Sequence, residues 1–244
     1  MNEFRLKYKP YGERSILIEW PQIISEDVLE SVLFCKGQLE NHSLKEKVYI
    51  KYGYCSMLIT YHATINNFYN EILMLKSIFS ADSDTLKRGS KLWKIPVCYD
   101  LDFGIDLDEI SKKNDIEILD IVRLHTSTIY HVYFLGFLPG FLYLGGLDKK
   151  LHLSRRRTPR LKVEKGSVAI GGSQTGIYPN ESPGGWNIIG KTPIDFFNLN
   201  NENPCFAQAG DKIQFISVSK TDYKQIVSSI DANTYIIESE VIYD

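Results

Sequence analysis

Two hydrophobic periods divide the opening stretch of the chain. Ser15–Trp20 (Ser-Ile-Leu-Ile-Glu-Trp) is rich in branched residues, follows the Tyr11-Gly12 turn signal and predicts a strand. Ser25 then stands where a helix cap belongs, with Glu26 and Asp27 in the first turn, where the helix dipole favours anions. Val28, Leu29, Val32 and Leu33 supply its apolar face. Val48–Tyr52 alternates apolar and polar positions, and Met57–Tyr61 follows the Gly53 turn as a second short strand. Phe68, Ile72, Leu75 and Ile78/Phe79 recur at steps of three and four, predicting a helix from about Asn66 to Phe79. Lys91–Val97 reads as a further strand.

The order strand, helix, strand, strand, helix, strand is the split βαβ, or ferredoxin-like, pattern. A polar, turn-rich stretch from Ala81 to Ser90 follows the second helix, and the expected division is a domain 1–88 and a domain 89–244. Beyond it, Leu107–Ser111 and Ile116–Leu124 predict short helices. From Tyr130 the texture changes to short β-type runs divided by Gly and Pro: Tyr130–Leu135, Ser167–Gly171, Trp186–Ile189, Ile194–Phe197 and Lys212–Val218. Such spacing predicts a closed or partly closed antiparallel barrel, so the fold class is α+β. Thr221–Ile230 adds a helix and Tyr235–Ile242 a last strand.

Composition narrows the classes. With 244 residues, 43% hydrophobic and 24% charged, the chain has the makings of a packed core. A formal net charge of −2 gives no sequence-wide attraction to nucleic acid or anionic membrane. The four cysteines, Cys35, Cys55, Cys98 and Cys205, lie far apart with no Cys-x-x-Cys pair, against both a disulfide scaffold and a zinc site. The first residues lack the apolar core of a signal peptide and no run is long enough for a membrane span, so the expected compartment is the cytoplasm.

Chemistry concentrates between Phe134 and Thr192. Gly185–Thr192 fits the phosphate-loop pattern G-x-x-x-x-G-K-[ST], but a turn precedes it, Trp186, Ile188 and Ile189 fill it, and Pro193 follows. The loop needs an incoming strand and an outgoing helix, so the match is read as chance on a strand. In Phe134–Gly146, Gly136, Gly140, Gly145 and Gly146 permit close backbone approach. Pro139 fixes a turn there, and Phe137 and Tyr143 can wall a pocket or pack a tight corner. The run Ser154-Arg155-Arg156-Arg157-Thr158-Pro159-Arg160 suits two-point binding of carboxylate or phosphate, or is a solvated face. Gly171–Trp186 displays Gln174, Thr175 and Tyr178 from a Gly/Pro-shaped loop that includes Gly184 and Gly185, and either lines a site or ties strands together. No metal-binding histidine spacing and no G-x-S-x-G elbow occurs.

Taken together, these blocks resemble the KipI family, also called the 5-oxoprolinase B-subunit family or allophanate hydrolase subunit 1. The resemblance rests on Arg123-Leu124-His125-Thr126, Gly136-Phe137-Leu138-Pro139-Gly140-Phe141, Tyr143-Leu144-Gly145-Gly146, Thr158-Pro159-Arg160, Gln174–Pro179 and Ser182–Trp186, with Ile95–Tyr99 and Gly104-x-Asp106-Leu107. Ser154, Arg157 and Lys191 depart from the family pattern. The resemblance implies a ferredoxin-like first domain and a cyclophilin-like β-barrel behind it. It implies an ATP-dependent 5-oxoprolinase, with Mg2+ accompanying ATP, in which phosphoryl transfer to the lactam carbonyl oxygen would activate it toward water. A second cyclophilin-like (KipA-type) subunit and a LamB/YcsF-type subunit are the implied partners.

In that reading Arg160 and His125 are the catalytic candidates. Arg155, Arg156, Phe137, Pro139, Tyr143, Gln174, Thr175, Tyr178, Gly184, Gly185 and Trp186 are the substrate-binding candidates. His125 is either a proton carrier or a structural hydrogen-bonder. Inhibition of a sensor histidine kinase, as by KipI, is the alternative function. Allophanate hydrolysis is a third, for which the Ser-based apparatus is missing from the pattern.

Overall fold

The computed structural model describes residues 4–80 and 89–242, and the chain divides into two compact units, one through Arg88 and one from Gly89. The fold is mixed α/β. Of the turn-rich stretch expected at the boundary, Ala81–Arg88 lies outside the described residues.

In the first unit β1 (Lys7–Pro10), β2 (Ser15–Glu19), β3 (Val48–Tyr52) and β4 (Ser56–Tyr61) form an antiparallel sheet in the order β1-β2-β4-β3. Helix α1 (Glu26–Asn41) connects β2 to β3, and β4 inserts between them, which is the split βαβ unit. Its start is set by Ser25, whose side chain accepts from the Val28 N–H. Helix α2 (Phe68–Ser80) completes the layer. Ile16, Ile18, Met57 and Ile59 meet Val28, Val32, Leu39 and Leu75 in one core. One expectation fails here. Lys91–Val97 is not the fourth strand of this sheet; that edge is occupied by β1, which the residue pattern does not reveal. The displaced strand is buried on both faces over most of its length, so an edge position would leave apolar surface in water.

That strand, β5 (Ser90–Val97), belongs to the second unit. Two helices follow, α3 (Leu107–Asn114) and α4 (Ile118–Ser127), then β6 (Ile129–Leu135), β7 (Leu142–Gly145), β8 (Arg160–Val163) and β9 (Ser167–Gly171). The chain continues through β10 (Gln174–Ile177), β11 (Ser182–Gly184), β12 (Asn187–Lys191), β13 (Lys212–Ser217), α5 (Lys220–Asp231) and β14 (Ser239–Ile242). Eight strands pair in the order β12-β9-β10-β7-β6-β13-β5-β14, while β8 and β11 form a separate ribbon.

Of the closed or partly closed antiparallel barrel expected, the closed form is absent among the described residues and the pairing is mixed. β5 and β13 run parallel over six residue pairs, and among the described residues the β12 edge of the sheet meets Cys98, just past β5, which exchanges both backbone hydrogen bonds with Lys191. Nor is Ile194–Phe197 a strand. The Ile194 N–H is taken by Thr192 Oγ1 and the Phe197 N–H by Asp195 Oδ1, and Pro193 has none to offer. These local bonds occupy donors that a ladder would need.

Strand alternation separates two apolar clusters in this unit. Val168 and Ile170 of β9 face a large core with Ile95, Tyr130, Leu144, Ile177, Ile213 and Phe215. Ala169, between them, faces a smaller cluster of Phe141, Val163, Tyr178, Trp186 and Ile188. The smaller cluster is where the expected site residues converge.

Candidate functional site

The aromatic wall is held by residues without side chains. A Cβ on Gly171 would sit 2.7 Å from the indole of Trp186, and one on Gly184 would sit 2.3 Å from the Tyr178 hydroxyl. Phe141 packs edge-on against both Tyr178 and Trp186, at 5.6 Å between ring centroids in each case. It also contacts Tyr143 at 5.0 Å and Phe137 at 5.5 Å. Phe134 stacks on Tyr143 at 4.3 Å. Phe137 is 62% exposed and has a positive φ of 61°, so the turn between β6 and β7 presents one ring to solvent.

Three arginines border this wall, and the structure gives them different work. Arg155 lies over the Trp186 ring, 5.4 Å from its centroid, a cation–π geometry. Arg156 is committed to carboxylates: its Nη1 donates to Asp106 Oδ1 at 3.1 Å and to Glu109 Oε2 at 2.9 Å. The Glu109 carboxyl is lowered to about 2, first by Lys113 and then by Arg156. Arg160 opens β8 opposite Gly184 of β11, and its Nη2 donates to Asp106 Oδ1 at 2.6 Å. Its Nη1, out of contact with solvent, has no hydrogen-bond partner among the described residues. A buried guanidinium donor left unpaired is costly, so this atom is a point of demand for an acceptor.

Asp106 is a site residue to which the motif pattern assigns no role. It precedes α3 in the position of a cap, yet makes no capping bond. Its Oδ2 instead accepts from the Ile188 N–H at 2.7 Å, and its own N–H donates to the Ile188 carbonyl at 3.0 Å.

Other candidates fall elsewhere. Pro139 lines a groove of about 560 Å³ with Phe137, Phe197, Pro204 and Cys205. Gln174 shares, by strand alternation, the face on which Gly176 meets Trp186 and Phe141. The Gly185 carbonyl accepts from the Arg156 N–H at 2.7 Å, fixing the loop from Ser154 against β12. Burial pushes the Tyr143 and Tyr178 phenols up, opposed in both by Arg155.

His125 and Thr175 point the other way, into the large core, and both are fully buried. Thr175 Oγ1 donates to the Ala169 carbonyl at 3.1 Å, so it accepts from His125 Nε2 at 2.9 Å. His125 Nδ1 is then the acceptor for the Tyr99 hydroxyl at 2.7 Å. This chain ends on a backbone carbonyl and leads to no solvent-facing group. The ring also stacks on Phe215 at 4.5 Å. Burial lowers the imidazole to about 3. His125 is thus placed as a buried hydrogen-bonder between Tyr99 and Thr175, with Thr175 as its partner.

The phosphate-loop match is a strand. Residues Asn187–Lys191 are β12, and Lys191 pairs with Glu164. These residues therefore do not form a cradle for ATP phosphates. Among the described residues, no group of three or more His, Cys, Asp and Glu is placed to hold a metal ion, and no helix is long and apolar enough to cross a membrane.

Residues 6–207 match the family described as carboxyltransferase domain, subdomain C and D. The chain belongs to this family. Within it, a curated relative from Bacillus subtilis, by name the B subunit of 5-oxoprolinase, is 44% identical over 133 residues, covering 54% of this chain and 55% of that protein. The protein of the same name from Haemophilus influenzae is 49% identical over 123 residues, covering 50% of this chain and 58% of that one. The matches thus span little more than half the length of these relatives. The crystal structure of the Kluyveromyces lactis urea carboxylase superposes with a TM-score of 0.79, covering 97% of this chain and 24% of that one. At 22% identity that likeness concerns the fold alone.

Proposed function

We propose that the chain is a component of an ATP-dependent 5-oxoprolinase, which opens the lactam of 5-oxoproline to glutamate. It acts with a second cyclophilin-like subunit and a LamB/YcsF-type subunit in the cytoplasm. One observation carries the reading: an aromatic wall bordered by Arg155 and by the unpartnered Nη1 of Arg160, in a chain similar to two proteins named as the B subunit of 5-oxoprolinase. We read the two units as ferredoxin-like and cyclophilin-like domains, 1–88 and 89–244. The split βαβ unit and the doubled-back sheet of the second unit support this.

5-Oxoproline is a small carboxylate attached to a resonance-stabilised amide, so its site needs a fixed cation for the carboxylate and donors near the carbonyl oxygen. Arg160 Nη1 supplies the buried cationic donor for the carboxylate, and Arg155 the second cation. Trp186, Tyr143 and Phe141 form an apolar bed for the ring methylenes. Arg156 serves the scaffold, and His125 moves no proton. ATP, with Mg2+, enters as a co-substrate of the assembled complex, and this chain's share is to bind and orient the anionic substrate.

The test is ADP release dependent on 5-oxoproline, measured with the complete set of subunits and with this chain omitted or carrying Arg160→Ala. Turnover that requires this chain and falls at least about a hundredfold in Arg160→Ala is expected, in line with loss of a charged contact in a desolvated site. No turnover in a verified complex would overturn the reading and bring forward the kinase-inhibitor alternative.

A further inference from the structure

We propose that Asp106 is a positioning residue for Arg160: it fixes the guanidinium so that the buried, unpartnered Nη1 is presented to the substrate carboxylate. The inference rests on the reading above, in which Arg160 contacts the anion. Asp106 Oδ1 holds Arg160 Nη2 at 2.6 Å, and the carboxylate is 4% exposed. An isolated guanidinium on a short edge ribbon samples many rotamers, and binding must then freeze them. Here one nitrogen is already tied down, which leaves the orientation of the other determined by the planar fork.

The carboxylate is in turn held by the backbone rather than by another mobile group. Oδ2 accepts from the Ile188 N–H at 2.7 Å, and the Asp106 N–H returns a bond to the Ile188 carbonyl. This close approach is possible because Gly104 has no side chain; a Cβ there would lie 2.5 Å from the Ile189 carbonyl oxygen. One carboxylate therefore connects the start of α3, β12 and the β8–β11 ribbon that carries Arg160. Arg156 competes for the same oxygen at the longer distance of 3.1 Å and has Glu109 as a second partner. It is spare in this scheme. An aspartate that forgoes capping its own helix to make these bonds is spent on the arginines.

The experiment is a double-mutant cycle in the complete complex, reading kcat and KM for 5-oxoproline with Asp106→Asn, Arg160→Ala, the double variant and Arg156→Met. Asp106→Asn is expected to raise KM about tenfold or more, as misplacement of a binding group does. The double variant is expected to be no worse than Arg160→Ala, because the two act through one contact. Arg156→Met is expected to leave KM within about twofold, since it removes no substrate contact. A purely structural Asp106 would lower the active fraction, hence kcat, at unchanged KM, and its effect would add to that of Arg160→Ala; either result overturns the proposal. Should Asp106→Asn fail to fold, Asp106→Glu keeps the charge while displacing it by one methylene, and an unchanged KM in that folded variant also overturns it. If Arg160→Ala itself is without effect, the anion reading fails first, and separably.

Discussion

The buried imidazole of His125 makes a prediction about pH that can be worked through. Its pKa in the folded protein is about 3, against an ordinary 6.5. For a base whose folded pKa lies below its unfolded one, the unfolded chain binds the proton first as pH falls. The stability contribution is therefore complete above about 6.5, declines through the interval and is exhausted near 3. Within that interval each step of one in pH changes stability by about 1.4 kcal/mol, so between about pH 7.5 and pH 4.5 this one group removes roughly 2.7 kcal/mol. Glu109 and other paired carboxylates also lose stability toward acid, so the comparison must be internal. Urea unfolding of the wild type and of His125→Gln, each at both pH values, cancels the shared contributions. The second unit is expected to weaken by about 2–3 kcal/mol more in the wild type than in the variant. The Trp93 and Trp186 fluorescence reports on that unit, with Trp20→Phe removing the signal of the first. An NMR titration of the His125 ring with a midpoint near its ordinary 6.5 would refute the reasoning, as would equal pH sensitivity of the two proteins.

Two further expectations test the wall and the discounted motif. Gly171→Ala should destabilise the second unit by about 1–3 kcal/mol, because the new methyl meets the buried Trp186 ring at 2.7 Å; differential scanning calorimetry should show a lowered transition. Lys191→Ala should leave the Michaelis constant for ATP in the assembled complex unchanged, because Lys191 sits on a strand and pairs with Glu164; a large rise would restore the phosphate loop.

What the pattern of residues revealed, and what it hid, follows from the range of the interactions. Periodic faces were legible: the helix capped by Ser25 and the strand Ser167–Gly171 are decided within a few residues of themselves. Partnership was not. Lys91–Val97 has strand character in either sheet, and only burial on both faces assigns it to the larger one. Ile194–Phe197 has strand-like composition, but Thr192 and Asp195 take its amides. In the site, Arg155, Tyr143, Tyr178 and Trp186 were found as residue types suited to a pocket, and they converge. His125 was ambiguous because a histidine's role depends on what reaches its two nitrogens, here Tyr99 and Thr175 from distant segments. Asp106 was hidden because its partners Arg156, Arg160 and Ile188 lie far along the chain.

The order of strands in the larger sheet has a consequence for the life of the chain before the site exists. β5 is flanked by β13 and β14, so a strand made early has its neighbours at Lys212–Ser217 and Ser239–Ile242. Such distant closure is entropically slow and leaves an apolar segment waiting for its neighbours. On the ribosome, Trp93, Ile95 and Val97 stay without a strand neighbour until synthesis has passed Ser217, while the first unit's four described strands are made by residue 61. The wall residues are made well before β13, so the late step is the pairing of β5, the segment a chaperone would have to shield.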